Sequence, residues 1–204
     1  MPVLATLALS FLQATPPPAD VPLAWKDLVE RPERWLGRSV RVVAQYHSRV
    51  EAWNPYLTRF GPGQFSAHQL WSDEQLPWVV AEHASPAVRL FTRRGAASEW
   101  ALAEARAYER FELTLSVREL FLGLPWCEVT EVLPLAESIP EGTVIHAAKA
   151  LRLIESRAHS LARSELDQAL VPGLPLRARN ELERLREACR RAGEPAAKGA
   201  RASR

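Results

Sequence analysis

Two segments of the chain alternate strictly between apolar and polar residues, and this pattern predicts β-strands. In RSVRVVAQYHS (38–48), apolar side chains recur at every second position from Val40 to Tyr46. In RFELTLSV (110–117), they recur at every second position from Phe111 to Val117. A period of two places these residues on one face of a strand. Each strand is therefore expected to bury one face, as in an antiparallel sheet or barrel.

Shorter segments complete the predicted strands. Extended structure is expected within 65–71, within 78–81 and over 87–92, and AASEWALAEARAY (96–108) favours a helix. Gly123 and Pro125 indicate a turn, after which PWCEVTEVLPL (125–135) returns as the second strand of a hairpin. The residues expected to face inward on that last strand are Cys127, Val129 and Leu133.

The period becomes helical from residue 143 onward. Apolar residues form an amphipathic stripe that reaches Ala169, Pro172-Gly173 interrupts it, and the pattern resumes over 176–191. This predicts a helical hairpin over 141–192, followed by a disordered tail over 193–204 that is rich in Ala, Lys, Gly, Arg and Ser.

The order of elements is a short helix, three strands, a helix and a two-stranded hairpin. The segments DLVERPERWLGRSVRVVAQY and FELTLSVRELFLGLPWCEVTEVLPL resemble the first strand and closing hairpin of bacterial oligonucleotide/oligosaccharide-binding (OB) domains. The resemblance covers about residues 25–135. It implies a mainly β domain with α (21–140), a five-stranded Greek-key barrel with a helix between strands 3 and 4, then the C-terminal helical hairpin.

The C-terminal helices also resemble one tetratricopeptide-repeat unit. The small or apolar positions that carry this resemblance are Ala150, Leu153, Ala162, Leu166 and Ala169. His146 stands where that repeat usually has tryptophan, and a single repeat lacks the neighbours that normally cover its apolar face. A helical hairpin that packs on the barrel or on a partner is the alternative interpretation.

The N-terminal residues 1–20 predict a secretory signal and a proline linker. Positions 2–15 carry no charge, three prolines follow, and Ala14 is the expected cleavage position. The protein is therefore predicted to be exported, periplasmic or extracellular; the alternative is a short apolar tail on a cytoplasmic protein. Cys127 and Cys189 form no metal motif, and free buried thiols are favoured over a disulfide.

The stretch 53–78 contains three of the seven tryptophans, interrupted by Asn54-Pro55 and Gly61-Pro62-Gly63. Because the loop between the first two strands of an OB domain borders its binding face, this loop is the candidate ligand site. The predicted ligand-binding residues are Trp53, Tyr56, Arg59 and Phe60. Trp71 and Trp78 are assigned to the core, and a structural role is also expected for Trp25, Trp35, Trp100 and Trp126.

The sequence contains no motif for catalysis, metal binding or a cofactor. Ser66 near His68 lacks the context of an activated nucleophile, and Gly61-Pro62-Gly63 lacks an amide that a phosphate loop uses. The remaining acidic and histidine candidates for a metal (Asp73, Glu74, Glu82, His83) do not have ligand spacing. A non-enzymatic protein without catalytic residues, metal or cofactor is predicted.

Charge separates the two binding hypotheses. Residues 36–135 contain 10 Arg and no Lys against 11 Asp and Glu, and the basic excess lies in residues 143–204. Phosphate recognition needs a cationic surface, so a protein, peptide or glycan ligand is favoured. Single-stranded nucleic acid is the alternative, with a local patch formed by Arg59, Arg89, Arg93 and Arg94.

Export makes a direct prediction about the mature N-terminus. N-terminal sequencing of the protein from the cell envelope of its native host should begin at Thr15, the residue after the expected cleavage position. A cytoplasmic protein that begins at Met1 or Pro2 would contradict the predicted localisation.

Overall fold

A closed barrel of five strands is the central element of the computed structural model, which describes residues 21–193. The strands are β1 Ser39–Val50, β2 Phe65–Ser72, β3 Val88–Arg93, β4 Arg110–Phe121 and β5 Leu124–Pro134. Their order around the barrel is β1-β2-β3-β5-β4, and β4 pairs with β1 to close it. Only the β3–β5 pair among these is parallel. The predicted five-stranded barrel, compatible with an OB-like fold, is confirmed.

Within residues 21–193, helices precede, connect and follow the strands. They are α1 Trp25–Glu30, α2 Val80–His83, α3 Ala97–Glu104, α4 Glu141–Glu155, α5 His159–Ala169 and α6 Leu176–Gly193, with 3₁₀ turns at Pro32–Trp35 and Pro55–Leu57. The helix predicted between strands 3 and 4 is α3. No helix in the described part of the chain combines the length and apolar character needed to cross a bilayer. The predicted signal segment, and the predicted tail after Gly193, lie outside the described residues.

The two strictly alternating segments build the barrel interior. The side chains predicted to face inward on β1 (Val40, Val42, Ala44, Tyr46) and on β4 (Phe111, Leu113, Leu115, Val117) are all buried in one cluster. Leu28 of α1 and Leu102 of α3 are buried in the same cluster. The period of two was therefore sufficient to identify which face of each strand forms the core.

A β-bulge overturns one inward assignment on β5. Thr114 pairs with Glu131 while Leu115 pairs with Val129, so Thr130 has no partner of its own on β4. The extra residue reverses the alternation beyond it. Cys127 and Val129 are buried as predicted, whereas Leu133 is exposed.

The segment between β2 and β3 differs from its prediction. The strand expected within 78–81 is wrong, because Val80–His83 is a turn of helix. A short continuous apolar run does not distinguish a strand from a buried turn, and here tertiary contacts decide. Trp78 is buried among the C-terminal helices, which confirms it as a core residue.

The C-terminal helical segment has three helices where two were predicted. The amphipathic stripe is interrupted at Ser156–Ala158, where Arg157 adopts a left-handed backbone conformation with φ 60°. The stripe continues across this break because the turn folds α5 back against α4 with its apolar residues still facing inward. A reading of periodicity alone therefore missed the turn.

Hydrogen bonds and apolar packing join these helices to the barrel. The Gln45 side chain of β1 donates to the carbonyl oxygen of Ile139 at 3.0 Å in a buried position. Ile139 and Trp78 belong to the same cluster as the buried faces of α4, α5 and α6.

Both cysteines are free and buried, each in a different cluster. Cys127 lies in the barrel core and Cys189 in the helical cluster, so the disulfide alternative does not form. Burial raises the pKa of the Cys127 thiol to about 12.

Truncation of Trp78 should weaken the packing between the C-terminal helices and the rest of the chain. Trp78→Ala is expected to lower the free energy of unfolding by about 3–5 kcal/mol, since a large buried ring leaves a cavity. Urea unfolding followed by circular dichroism measures this. The control is Trp100→Ala, because Trp100 is exposed; equal effects of the two variants would contradict the assignment of Trp78 to the core.

Candidate functional site

The predicted loop site is divided between buried and exposed residues. The loop after β1 folds back over the outer face of β2 and β3, and Phe60 is only 2% exposed. Its ring stacks on Phe91 with centroids 4.4 Å apart and meets Phe65 edge-on at 4.8 Å. The half-buried Trp53 donates its indole N–H to the Phe60 carbonyl oxygen at 2.7 Å. Phe60 is therefore a packing residue, and its predicted role as a ligand contact is corrected here.

Tyr56 and Arg59 remain on the outside of this loop. The Tyr56 side chain is 94% exposed. The Thr58 hydroxyl and the Arg59 backbone N–H both donate to the Glu119 carboxylate of β4. The Arg59 guanidinium lies 3.8 Å from the same carboxylate and is itself exposed. The loop is thus fixed to the barrel, with Tyr56 and the Arg59 side chain exposed and Trp53 half-buried.

The aromatic packing continues from the loop to β5. Phe91 stacks on Trp126, with ring centroids 5.2 Å apart and planes inclined by 12°. Phe121 also contacts Trp126, with ring centroids 5.9 Å apart and planes nearly perpendicular. Trp126 is thus held by two aromatic rings, and it also borders a cavity.

This cavity, about 250 Å³ in volume, is the candidate functional site and is called the groove below. Helix α1 and strands β2, β3 and β5 form it together with the turns before β3 and at the start of β5. Its lining residues are Trp25, Val29, Gln69, Pro86, Ala87, Arg89, Leu124, Pro125 and Trp126. Apolar side chains form most of the wall, and Gln69 and Arg89, which pair directly across β2 and β3, supply its polar side chains.

Arg89 is the available cation of the groove. Its guanidinium is exposed, and neither it nor the Gln69 carboxamide has a hydrogen-bond partner within residues 21–193. Two neighbouring arginines differ in this respect, because Arg93 and Arg118 both donate to the buried Glu128 carboxylate, at 3.1 and 2.9 Å. A carboxylate from another molecule could therefore bind Arg89 without displacing an internal partner.

No family model matches the chain, and no curated protein matches it. The barrel topology limits the fold, but folds of this kind support many unrelated functions. The function must be argued from the chemistry of the groove.

The Ser66 and His68 pair does not form a nucleophile and its base. The Ser66 hydroxyl donates to Glu99 at 2.6 Å and accepts from Arg49 at 3.2 Å. His68 is fully buried inside the barrel, with Nε2 3.1 Å from the Thr92 hydroxyl. The described residues contain no hydrogen bond between Ser66 and His68, so the arrangement is a polar part of the core.

A second group of rings includes Tyr108, which packs against the cluster formed by the C-terminal helices. Trp71 stacks on Tyr108 at 5.2 Å and donates its indole N–H to the His83 carbonyl oxygen at 3.2 Å. Burial, and then the nearby His83, lower the pKa of His47. Within residues 21–193, no three His, Cys, Asp or Glu side chains gather as metal ligands. These rings join the barrel to the helices, and Trp71 is buried as predicted.

Sequence reasoning missed Trp25, Gln69 and Trp126 as groove residues. The alternation on β5 did contain a signal, because Cys127 facing inward requires Trp126 to face outward. The positions of Trp25 and Gln69 beside it depend on tertiary structure. The structural role expected for Trp100 is also corrected, because its side chain is exposed and not packed in the core.

His68 should make stability depend on pH. Burial, with a smaller contribution from Arg49, lowers its pKa to about 4 from 6.5. Between these values the unfolded chain binds a proton that the folded chain excludes. Stability therefore falls as pH decreases from 6.5 to 4, by about 3 kcal/mol for a shift of this size.

Urea unfolding at a series of pH values tests this dependence with His68→Gln. The variant should have a smaller loss of stability between pH 6.5 and 4, and Trp100→Ala should retain the full loss. Some dependence remains in both because His47 titrates with the same sign. An unchanged pH slope in His68→Gln would show that another group is responsible.

Proposed function

We propose that this chain is an exported, non-enzymatic binding protein whose groove takes an acidic segment of a partner protein or peptide. The observation that carries the proposal is the Arg89 guanidinium, which has no partner among residues 21–193 and lines a groove with Trp25 and Trp126 among its walls. Guanidinium binds carboxylates through two parallel hydrogen bonds, and tryptophan supplies rigid contact area at interfaces.

The size of the groove supports a segment of a larger partner. Sites that enclose a complete drug-sized molecule measure roughly 300–1,000 Å³. The groove, at about 250 Å³, is smaller and open on one side. It suits one or two side chains, with the rest of the contact spread over the surrounding surface.

The pairing of the arginines and the covering of the aromatic rings disfavour single-stranded nucleic acid as the ligand. Base stacking needs open aromatic faces and a cationic path for the backbone. Phe60 covers Phe91 on the outer β2–β3 face. Arg59 pairs with Glu119, and Arg93 and Arg118 both pair with Glu128. Phosphate contacts would therefore compete with internal ion pairs.

The C-terminal helices are proposed to support the barrel. Ala150, Ala162 and Ala169 are fully buried, and such small residues allow close helix packing of the kind found in tetratricopeptide repeats. Their cluster includes Trp78, so they hold the β2–β3 segment against the barrel. That segment ends at Pro86 and Ala87, which line the groove.

Photo-crosslinking in the native envelope fraction tests the groove. A photoreactive amino acid at Ala87, which lines it, should capture a partner, and Arg89→Gln should weaken capture by about tenfold or more, the loss expected for a hydrogen bond to a charged group. The matched control is the same group at Ser156, an exposed position between α4 and α5.

Three results would contradict the proposal. They are no capture from Ala87, equal capture from Ser156, or capture that persists in Arg89→Gln. A titration with oligothymidylate addresses the alternative separately. Micromolar or tighter binding with a steep salt dependence would favour nucleic acid over an acidic peptide.

A further inference from the structure

The turn after β2, residues 73–76, is hydrogen-bonded to two walls of the groove, and it is called the clamp turn below. One of these walls belongs to α1 and includes Trp25, and the other precedes β3 and includes Ala87. The residues of the clamp turn do not themselves line the cavity. The two walls are far apart in sequence, so their relative position depends on the contacts that join them.

Gln75 of the clamp turn binds the wall before β3 through its carboxamide. Its Oε1 accepts the backbone N–H of Ser72 at 3.1 Å and the backbone N–H of Ala87 at 2.8 Å. Its Nε2 donates to the carbonyl oxygens of Ser85 at 3.0 Å and Glu82 at 3.4 Å. One side chain thus joins the end of β2 to the residues before β3 that line the groove.

Glu74 binds the wall formed by α1. Its carboxylate Oε1 accepts the backbone N–H of Trp25, the first residue of α1, at 3.1 Å. The Oε2 atom is buried and has no hydrogen-bond partner within residues 21–193. A buried polar atom without a partner is uncommon in folded proteins and costs free energy. The bond to Trp25 therefore forms although this side chain is not ideally placed for stability.

The C-terminal helices contact the clamp turn from the other side. The Leu76 backbone N–H donates to the Glu82 carboxylate at 2.6 Å, and the Leu76 side chain packs against the helical cluster. Two residues further along the chain, Trp78 is buried in the same cluster. The clamp turn is thus fixed to the helices at one end of its contacts and to the groove at the other.

We propose that the clamp turn sets the width of the groove and that Glu74 and Gln75 are positioning residues for partner binding. This inference rests on the proposed function, because it concerns the same groove. Groups that contact a ligand have to be held within about 0.5 Å of their binding geometry by supporting hydrogen bonds. Glu74 and Gln75 supply such bonds to Trp25 and Ala87, on opposite sides of the Arg89 guanidinium's ligand.

Amide hydrogen exchange, measured by NMR on the purified full chain, tests the geometry. Gln75→Met keeps the length of the side chain but removes its hydrogen bonds, and it adds no charge. Exchange at the Ala87 N–H should become about tenfold faster, the change expected for one lost hydrogen bond. Exchange at Leu113, which is buried on β4, should stay unchanged and so controls for global stability.

Glu74 offers a matched pair of variants for the other wall. Glu74→Gln and Glu74→Met both remove the charge, but only Glu74→Gln keeps an oxygen that can accept the Trp25 N–H. Exchange at Trp25 should therefore increase in Glu74→Met and stay close to that of the unchanged protein in Glu74→Gln. This pair decides the proposal if Gln75→Met does not fold.

Photo-crosslinking in the native envelope fraction tests the effect on binding. A photoreactive amino acid at Leu124, which lines the groove on β5, avoids any change to the clamp turn itself. Capture should fall by about tenfold in Gln75→Met and in Glu74→Met, and Glu74→Gln should restore it. The matched control is Gln168→Met, which changes an exposed glutamine on α5.

Capture is measured well below the melting temperature of each variant, because a purely structural role would then leave it unchanged. Capture by Gln75→Met equal to that of the unchanged protein overturns the proposal. So does unchanged exchange at Ala87, or an equal loss of capture in Glu74→Gln and Glu74→Met. No capture from Leu124 by the unchanged protein would instead contradict the proposed function together with this inference.

Discussion

The structure depends on the need to bury the outer face of β2. In the other long strands one face meets solvent, but seven of the eight β2 residues are buried, so the strand is covered on both sides. Its inner side chains include the fully buried His68 and Leu70, while Phe65, Ala67 and Trp71 belong to clusters outside the barrel. Apolar surface of this extent on the outside of a barrel must be covered by other parts of the chain.

Two segments provide this cover, one at each end of the strand. The loop after β1 places Phe60 against Phe65 and Phe91. The segment after β2 places His83 against Trp71, and Tyr108 stacks on the Trp71 ring. Gln69 lies between the two covered ends and is the residue of β2 that is not fully buried. The groove is the gap that remains at this point, which explains why a polar pair is exposed in an otherwise apolar surface.

The same constraint explains what the sequence could predict. Strands β1 and β4 alternate strictly between apolar and polar residues, and their buried faces were identified correctly because the opposite face of each is exposed to solvent. FSAHQLWS has no such period, since both its faces are buried, and nothing in it indicates which segment covers it. Phe60 was therefore interpreted as exposed, because Gly61 and Pro62 beside it are typical of a surface loop, while in fact they return the chain onto the barrel. The turn at Ser156–Ala158 was missed for a related reason. An apolar stripe shows which residues are buried, but it does not show where the chain reverses direction.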